Sequence, residues 1–226
     1  MNFEQITLAV GATGLRVRGA FHPGDQDGVP QLQPGTPAGT VVLIGSTGSS
    51  AWPAFRSEQA PGPDPLDTWT RAKVEPIAAA AGARAVYPGD RPFLPFLRWA
   101  RRSEDVHTSP LGLLIHPEHG LWHSYRAALL LSARIEVPPP TERPSPCTSC
   151  AQKPCLAACP VGSFGAGGYD SESCLDHLAT AEGRACLNHG CKARNACPVG
   201  RTSRYIEDQI RFHMRAFAHG SRMRPP

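Results

Sequence analysis

Cysteine is missing from the first 146 residues of this 226-residue chain; all eight cysteines fall between positions 147 and 197. Long apolar runs are missing too. None approaches the roughly 18 residues of a membrane-crossing helix, so no membrane segment is expected. The N-terminus, MNFEQITLAVGATG, lacks a basic n-region and a small-residue cleavage site and carries Glu4. An export signal is therefore not expected, and a cytoplasmic location follows, where a reducing poise suits thiolate ligands. Gly45-Ser46-Thr47-Gly48-Ser49-Ser50 has neither the Lys and spacing of a phosphate loop nor G-x-G-x-x-G, and a tight turn is the better reading. His116, His119 and His123 cluster without an H-E-x-x-H pattern, and Pro117 and Gly120 interrupt regular structure there, so loop histidines outweigh a metal site.

What is present is concentrated in CTSCAQKPCLAACP, residues 147–160, which reads C-x2-C-x4-C-x3-C-P. Bacterial-type ferredoxins hold [4Fe–4S] clusters with C-x2-C-x2-C-x3-C-P, the fourth cysteine serving the other cluster. The remaining four, Cys174, Cys186, Cys191 and Cys197, end in a second Cys-Pro pair at Pro198. Eight thiolates with two Cys-Pro endings make a ligand set for two cubanes. Because proline turns the chain away from the loop just finished, each Cys-Pro cysteine is expected to reach the far cluster. That assigns Cys147, Cys150, Cys155 and Cys197 to one cluster and Cys159, Cys174, Cys186 and Cys191 to the other. Disulfides in an oxidising compartment and two four-cysteine zinc sites remain competing readings. Unligated thiols in such density would be an oxidation hazard.

The charge pattern agrees. Of 23 basic and 19 acidic side chains, residues 147–226 hold 10 and 6, leaving 13 of each before them, so the net +4 lies wholly beside the cysteines. An oxidised cubane with four thiolates carries a formal charge of about −2, and two would offset that excess. Local compensation is the first reading and a polyanion site the second. The C-terminal arginines, Arg204, Arg211, Arg215, Arg222 and Arg224, are not interleaved with aromatics, which points away from a specific nucleic-acid reader.

Along the chain, Phe3 to Phe21 alternates weakly and reads as a strand leading into a loop. Val41 to Ile44 is a buried strand. Asp64 is an expected N-cap, Pro65 the first helical residue and Gly82 the stop of a helix that Pro76 should kink. Ala83 to Tyr87 reads as a strand, residues 93–102 as a short helix and Leu111 to Ile115 as another strand. Residues 120–137 are ambiguous, because Ala127 to Leu131 favours helix while Trp122, Tyr125, Ile135 and Val137 favour strand. Pro138-Pro139-Pro140 makes a stiff linker. Asp170 or Ser171 caps a helix carrying Cys174, and Ile206, Ile210, Met214 and Phe217 share a face of the last helix.

Gly112-Leu113-Leu114-Ile115-His116-Pro117, then Gly120-Leu121-Trp122, the Pro-rich link, CTSCAQKPCLAACP, and Cys174 within SCLDHL resemble, in this order, segments of the epoxyqueuosine reductase family over roughly residues 84–200. The resemblance implies a cobalamin-binding α+β domain whose corrinoid receives electrons from a two-cluster ferredoxin-type domain. It further implies Gly112, His116, Gly120 and Trp122 as cofactor contacts and Asp90, one residue out of register with its following proline, as the catalytic acid. A shorter N-terminal part, the stretched C-x4-C-x5-C-P group and the lack of a helical-repeat extension set tRNA reduction aside.

These readings predict an α+β protein: an N-terminal α/β sheet layer over residues 1–140, then a ferredoxin-like two-cluster [4Fe–4S] domain over residues 141–226 ending in a helix. The expected function is one-electron transfer from a donor protein to a corrinoid or small-molecule acceptor. The alternative is a non-redox, partner-binding module with structural zinc and a basic C-terminal helix.

Overall fold

The first element is a helix, α1 (Phe3–Gly11), where weak alternation suggests a strand. Asn2 and Gln5 form a capping box: each side chain accepts from the other's backbone N–H at 2.9 Å, and Ile6 and Val10 bury one face. The strand begins only afterwards, as β1 (Arg16–Phe21). This computed structural model describes residues 1–139 and 141–222 and divides into two units, 1–105 with 123–143 and 106–122 with 144–226. Residues 106–122, grouped by sequence with the first domain, thus belong with the cysteines. Pro140, the end of the expected linker, lies outside the described residues, as do Arg224 and the side chain of Arg222.

In the first unit, β2 (Thr40–Thr47) follows β1, then α2 (Trp52–Glu58), α3 (Pro65–Ala81), β3 (Arg84–Val86) and α4 (Phe96–Ser103). Asp64 stands at the N-cap position, Pro65 opens α3 and Gly82 closes it in the left-handed region, as expected, though the Asp64 side chain makes no capping hydrogen bond; Pro76 lies inside the helix. Residues 106–122 carry the short paired strands β4 (His107–Thr108) and β5 (Leu114–Ile115), so only the end of the expected Leu111–Ile115 strand forms. The chain returns to the first unit as β6 (His123–Leu131), which settles the ambiguous stretch as strand.

The four-stranded sheet has the order β1-β2-β6-β3, with every neighbouring pair antiparallel. β2 and β3 therefore run the same way, but β6 lies between them, so the expected strand–helix–strand unit is split by a later strand. Successive side chains point to opposite faces, yet Val41, Val42, Leu43 and Ile44 are all 0 % exposed, so both faces of β2 are covered. Ala127 to Leu130 are buried equally, and this overrides their helical propensity. Each such Val, Leu or Ile contributes about 1.5–3 kcal/mol by leaving water. Gly45 permits the closest approach in this sheet: a Cβ there would meet the Ser124 carbonyl oxygen at 1.8 Å, where the β2–β6 register shifts. The unit also buries an ion pair. Arg18 donates to Glu104 through Nε at 3.2 Å and through Nη2 at 3.0 and 2.8 Å, and the Tyr125 hydroxyl donates to the same carboxylate.

The second unit continues with α5 (Pro146–Ser149), α6 (Pro154–Ala157), the hairpin β7 (Phe164–Gly165) and β8 (Gly168–Tyr169), α7 (Ser171–Leu178), α8 (Arg184–His189), α9 (Lys192–Asn195) and α10 (Glu207–Arg222). Among the described residues no helix is long and apolar enough to cross a membrane.

Candidate metal centre and acceptor cleft

Short helices and their caps place the cysteines. The Ser145 hydroxyl accepts from Cys147 N–H at 3.3 Å to start α5, with Cys150 at its end. Lys153 takes a positive φ of 38°, so that Pro154 can open α6 with Cys155 in its first turn. The two additional residues of the C-x4-C spacing are accommodated in this turn. Asp170 caps α7, as expected, its carboxylate accepting from Ser173 N–H at 3.0 Å, and α7 carries Cys174. Cys186 lies on α8, Cys191 is the N-cap of α9, and Cys197 follows that helix.

All eight cysteines are free thiols. Their electrostatic neighbours fall into two sets. Burial pushes the Cys147 thiol up, and Cys197, Cys155 and Cys150 push it further, although the Ser145 hydroxyl opposes them. Cys155 is raised by burial and then by Cys197 and Cys150. Cys197 is raised by burial and Cys150, against the Val199 N–H and the nearby Arg201. In the other set, burial raises Cys174, with Cys159 and Cys186 adding to it and the Tyr169 hydroxyl opposing. Burial likewise raises Cys191, helped by Cys174 and Cys159, against the N–H groups of Arg194 and Ala193. Cys159 differs. Burial is its largest influence, but N–H groups of Ser163, Val161 and Gly162 and the Ser163 hydroxyl together hold its thiol below the ordinary value. The Ser163 N–H lies 3.4 Å from its sulfur.

The structure thus brings Cys197 to the first-loop cysteines and Cys159 to the second-loop ones. Crowded like charges and burial disfavour thiolates; a bound cation would reverse that balance. Among the described residues no three His, Cys, Asp or Glu side chains converge tightly enough to hold a single metal ion.

The segment 106–122 forms part of the wall. Leu111, Ile115 and Leu121 pack with Cys155, Cys197 and Ala193, and Cys147, Cys159 and Cys191 border the same cluster. Of the expected cofactor contacts, Gly120 at φ 58° lies so close to Val199 that a Cβ would meet its carbonyl oxygen at 2.1 Å. Trp122 is buried against Tyr205 and Ile210, with the Arg194 guanidinium 4.3 Å from its ring centroid. His116 Nδ1 accepts from the N–H groups of Glu118 and His119 at 3.0 and 3.2 Å, and the two imidazoles stack at 4.7 Å. Gly112, at φ 74°, has open space where a side chain would be.

Asp90 lies in the first unit, after β3. Its carboxylate accepts from Arg71 at 2.5 Å and from the Tyr87 N–H at 2.8 Å. The Arg71 guanidinium stacks 3.8 Å from the Tyr87 ring centroid. Beside this turn is a cleft of about 130 Å³ lined by Asp67, Thr70, Arg71, Tyr87, Tyr125 and Arg126, among others. Sequence reasoning did not find this cleft, because its residues come from α3, the turn after β3, and β6.

No protein-family model and no curated protein matches the chain, but solved structures do. An epoxyqueuosine reductase from Bacillus subtilis, with its catalytic aspartate loop swung out of the active site, superposes with a TM-score of 0.55 at 16% identity, over 89% of this chain and 66% of that one. An epoxyqueuosine reductase bound to an epoxyqueuosine-modified tRNA-Tyr stem loop gives 0.54 at 16% identity, over 90% and 66%. The C. elegans B12-trafficking protein CblC gives 0.56 at 14% identity, over 95% and 92%. The fold is epoxyqueuosine-reductase-like. It is shared with CblC, and the chain spans just under two thirds of the length of those two reductases. The antiparallel sheet with its surrounding helices fits the expected α+β class.

Proposed function

We propose that the protein is a one-electron carrier holding two [4Fe–4S] clusters, coupled to a corrinoid acceptor. What supports this reading is that eight free thiols neighbour one another across the two Cys-Pro loops, Cys197 beside Cys147, Cys150 and Cys155, and Cys159 beside Cys174 and Cys191. This is the ligand arrangement of two-cluster ferredoxins. Bound, the clusters would supply single-electron transfer at low potential. A cubane accepts thiolates at four separate iron corners, so sets that do not converge on one point are compatible with it. Cys147, Cys150, Cys155 and Cys197 would hold one and Cys159, Cys174, Cys186 and Cys191 the other. The N–H groups of Leu156, Val199 and Ser163 donate to ligand sulfurs, and Arg201 adds positive charge near Cys197. The reducing cytoplasm is the compartment this chemistry needs.

The likeness to a B12-trafficking protein and to epoxyqueuosine reductases supports a corrinoid as acceptor. The cleft in the first unit does not fit a whole macrocycle: about 130 Å³ falls short of the roughly 300–1,000 Å³ of a drug-sized site. A polar edge of a large cofactor is the most it admits. Gly112, with open space beside it, and His116, both in the second unit, are proposed as corrinoid contacts. Asp90 is proposed as a proton-transfer group, and to act it must release Arg71. Metal analysis after anaerobic reconstitution tests the carrier reading: about eight irons per chain and a brown colour bleached by dithionite are expected. Zinc in their place would refute it in favour of a structural-metal module. Titration with cob(II)alamin should shift its visible spectrum, and an unchanged spectrum removes the corrinoid.

A further inference from the structure

The two thiol sets have unequal surroundings. Cysteines of both sets border the cluster of Leu111, Ile115 and Leu121, and the first set receives the Ser145 hydroxyl and backbone N–H groups. The second also receives two ring-bearing side chains. In the β7–β8 hairpin, Phe164 pairs with Tyr169, their rings stacked at 4.9 Å and 16°. Phe217 of α10 lies on the other contact of the Tyr169 ring, at 6.5 Å. So held, the Tyr169 hydroxyl neighbours Cys174 and opposes the rise that burial imposes on that thiol. From α7, one turn beyond Cys174, His177 brings Nε2 to 3.9 Å from Cys186 Sγ. A sulfur bound to iron carries no proton, so the hydrogen in both contacts belongs to the tyrosine and the histidine.

Hydrogen bonds to ligand sulfur favour the more negative, reduced state and raise the reduction potential. We propose that Tyr169 and His177 are positioning residues that set the potential of the second cluster above that of the first. The inference rests on the two-cluster reading and goes further, giving the two sites different roles: the second retains an electron that the first passes on more readily. It also accounts for the stacked hairpin, since a tyrosine nearly half exposed to water would otherwise leave its hydroxyl to solvent. Phe164 and Phe217 fix the ring, and the Asp170 cap fixes the start of the helix that carries His177.

The test is a redox titration of the anaerobically reconstituted full chain, followed by visible absorbance and electron paramagnetic resonance. Tyr169→Phe keeps the ring stack and removes only the hydroxyl; His177→Phe removes the second donor. In each, the upper of two one-electron steps should move to lower potential by about tenfold in the reduction equilibrium, ~59 mV for one electron, with the lower step unmoved. Full iron content with both steps unmoved, or with both moved alike, would overturn the inference and leave the two-cluster reading standing. Loss of the second cluster in either variant would overturn it too, by showing a retaining role in place of a tuning one. Absence of iron from the unmodified protein would overturn both.

Discussion

Cys147→Ala removes a thiol whose electrostatic neighbours are Cys150, Cys155 and Cys197. With one cubane per set, iron should fall from about eight to about four atoms per chain. The informative step is the second substitution. Cys197 belongs to the same set although it lies in the other loop, so adding Cys197→Ala removes nothing further and about four irons remain. Cys159 lies in the same loop as Cys147 but neighbours Cys174 and Cys191, so adding Cys159→Ala empties the second site as well and iron approaches zero. Grouping by loop predicts the reverse for the two pairs. Iron and acid-labile sulfide per chain, measured after anaerobic reconstitution with circular dichroism to verify folding, separate the two. If Cys147→Ala with Cys159→Ala keeps about four irons while Cys147→Ala with Cys197→Ala keeps none, the cross-loop assignment is wrong.

Arg18→Met should cost about 3–5 kcal/mol, because it leaves the Glu104 carboxylate buried without its cation; the two side chains are only 3% and 13% exposed. A urea midpoint lowered at constant slope reads this, and adding Glu104→Met should recover most of the loss; a single-variant cost under about 1 kcal/mol would contradict the pairing. In the metal-free protein, Cys147, Cys155, Cys174, Cys191 and Cys197 sit above the ordinary thiol value of 9.0, burial being the first cause in each. The unfolded chain then surrenders its thiol protons first, the native state binds more of them, and stability must fall as pH rises through and above that value. Thermal melts of reduced apoprotein from pH 7 to about 10 check the sign, and a flat Tm would count against crowded, buried thiols.

The expectation of two cysteine sets came from local spacing, because proline direction and ligand reach are properties of a short stretch. The α3 boundaries were equally local, set by Pro65 and Gly82. The Asn2–Gln5 box, an equally local signal, was present in the sequence but lost beneath the weak alternation that follows. β6 was ambiguous because alanine and leucine suit either state; pairing with β2 and β3 on both edges decides it, and those partners are distant in sequence. The same holds for the Arg18–Glu104–Tyr125 network and for the cleft beside Asp90, whose members no spacing rule connects. Tyr169 and His177 stand close to Cys174, yet nothing in their order says which sulfur either faces.

The migration of residues 106–122 out of the first unit has a genetic corollary. Neither unit is one uninterrupted stretch of gene, for the chain changes unit after Asp105, after Trp122 and after Arg143. Excising the cysteine-rich half at the proline linker would leave behind Leu111, Ile115, Leu121 and Trp122, the greasy side chains that line its thiol loops and brace Tyr205. The half that looks portable is therefore bound to its host by a borrowed hairpin, and shuffling it into another protein would require carrying that hairpin along.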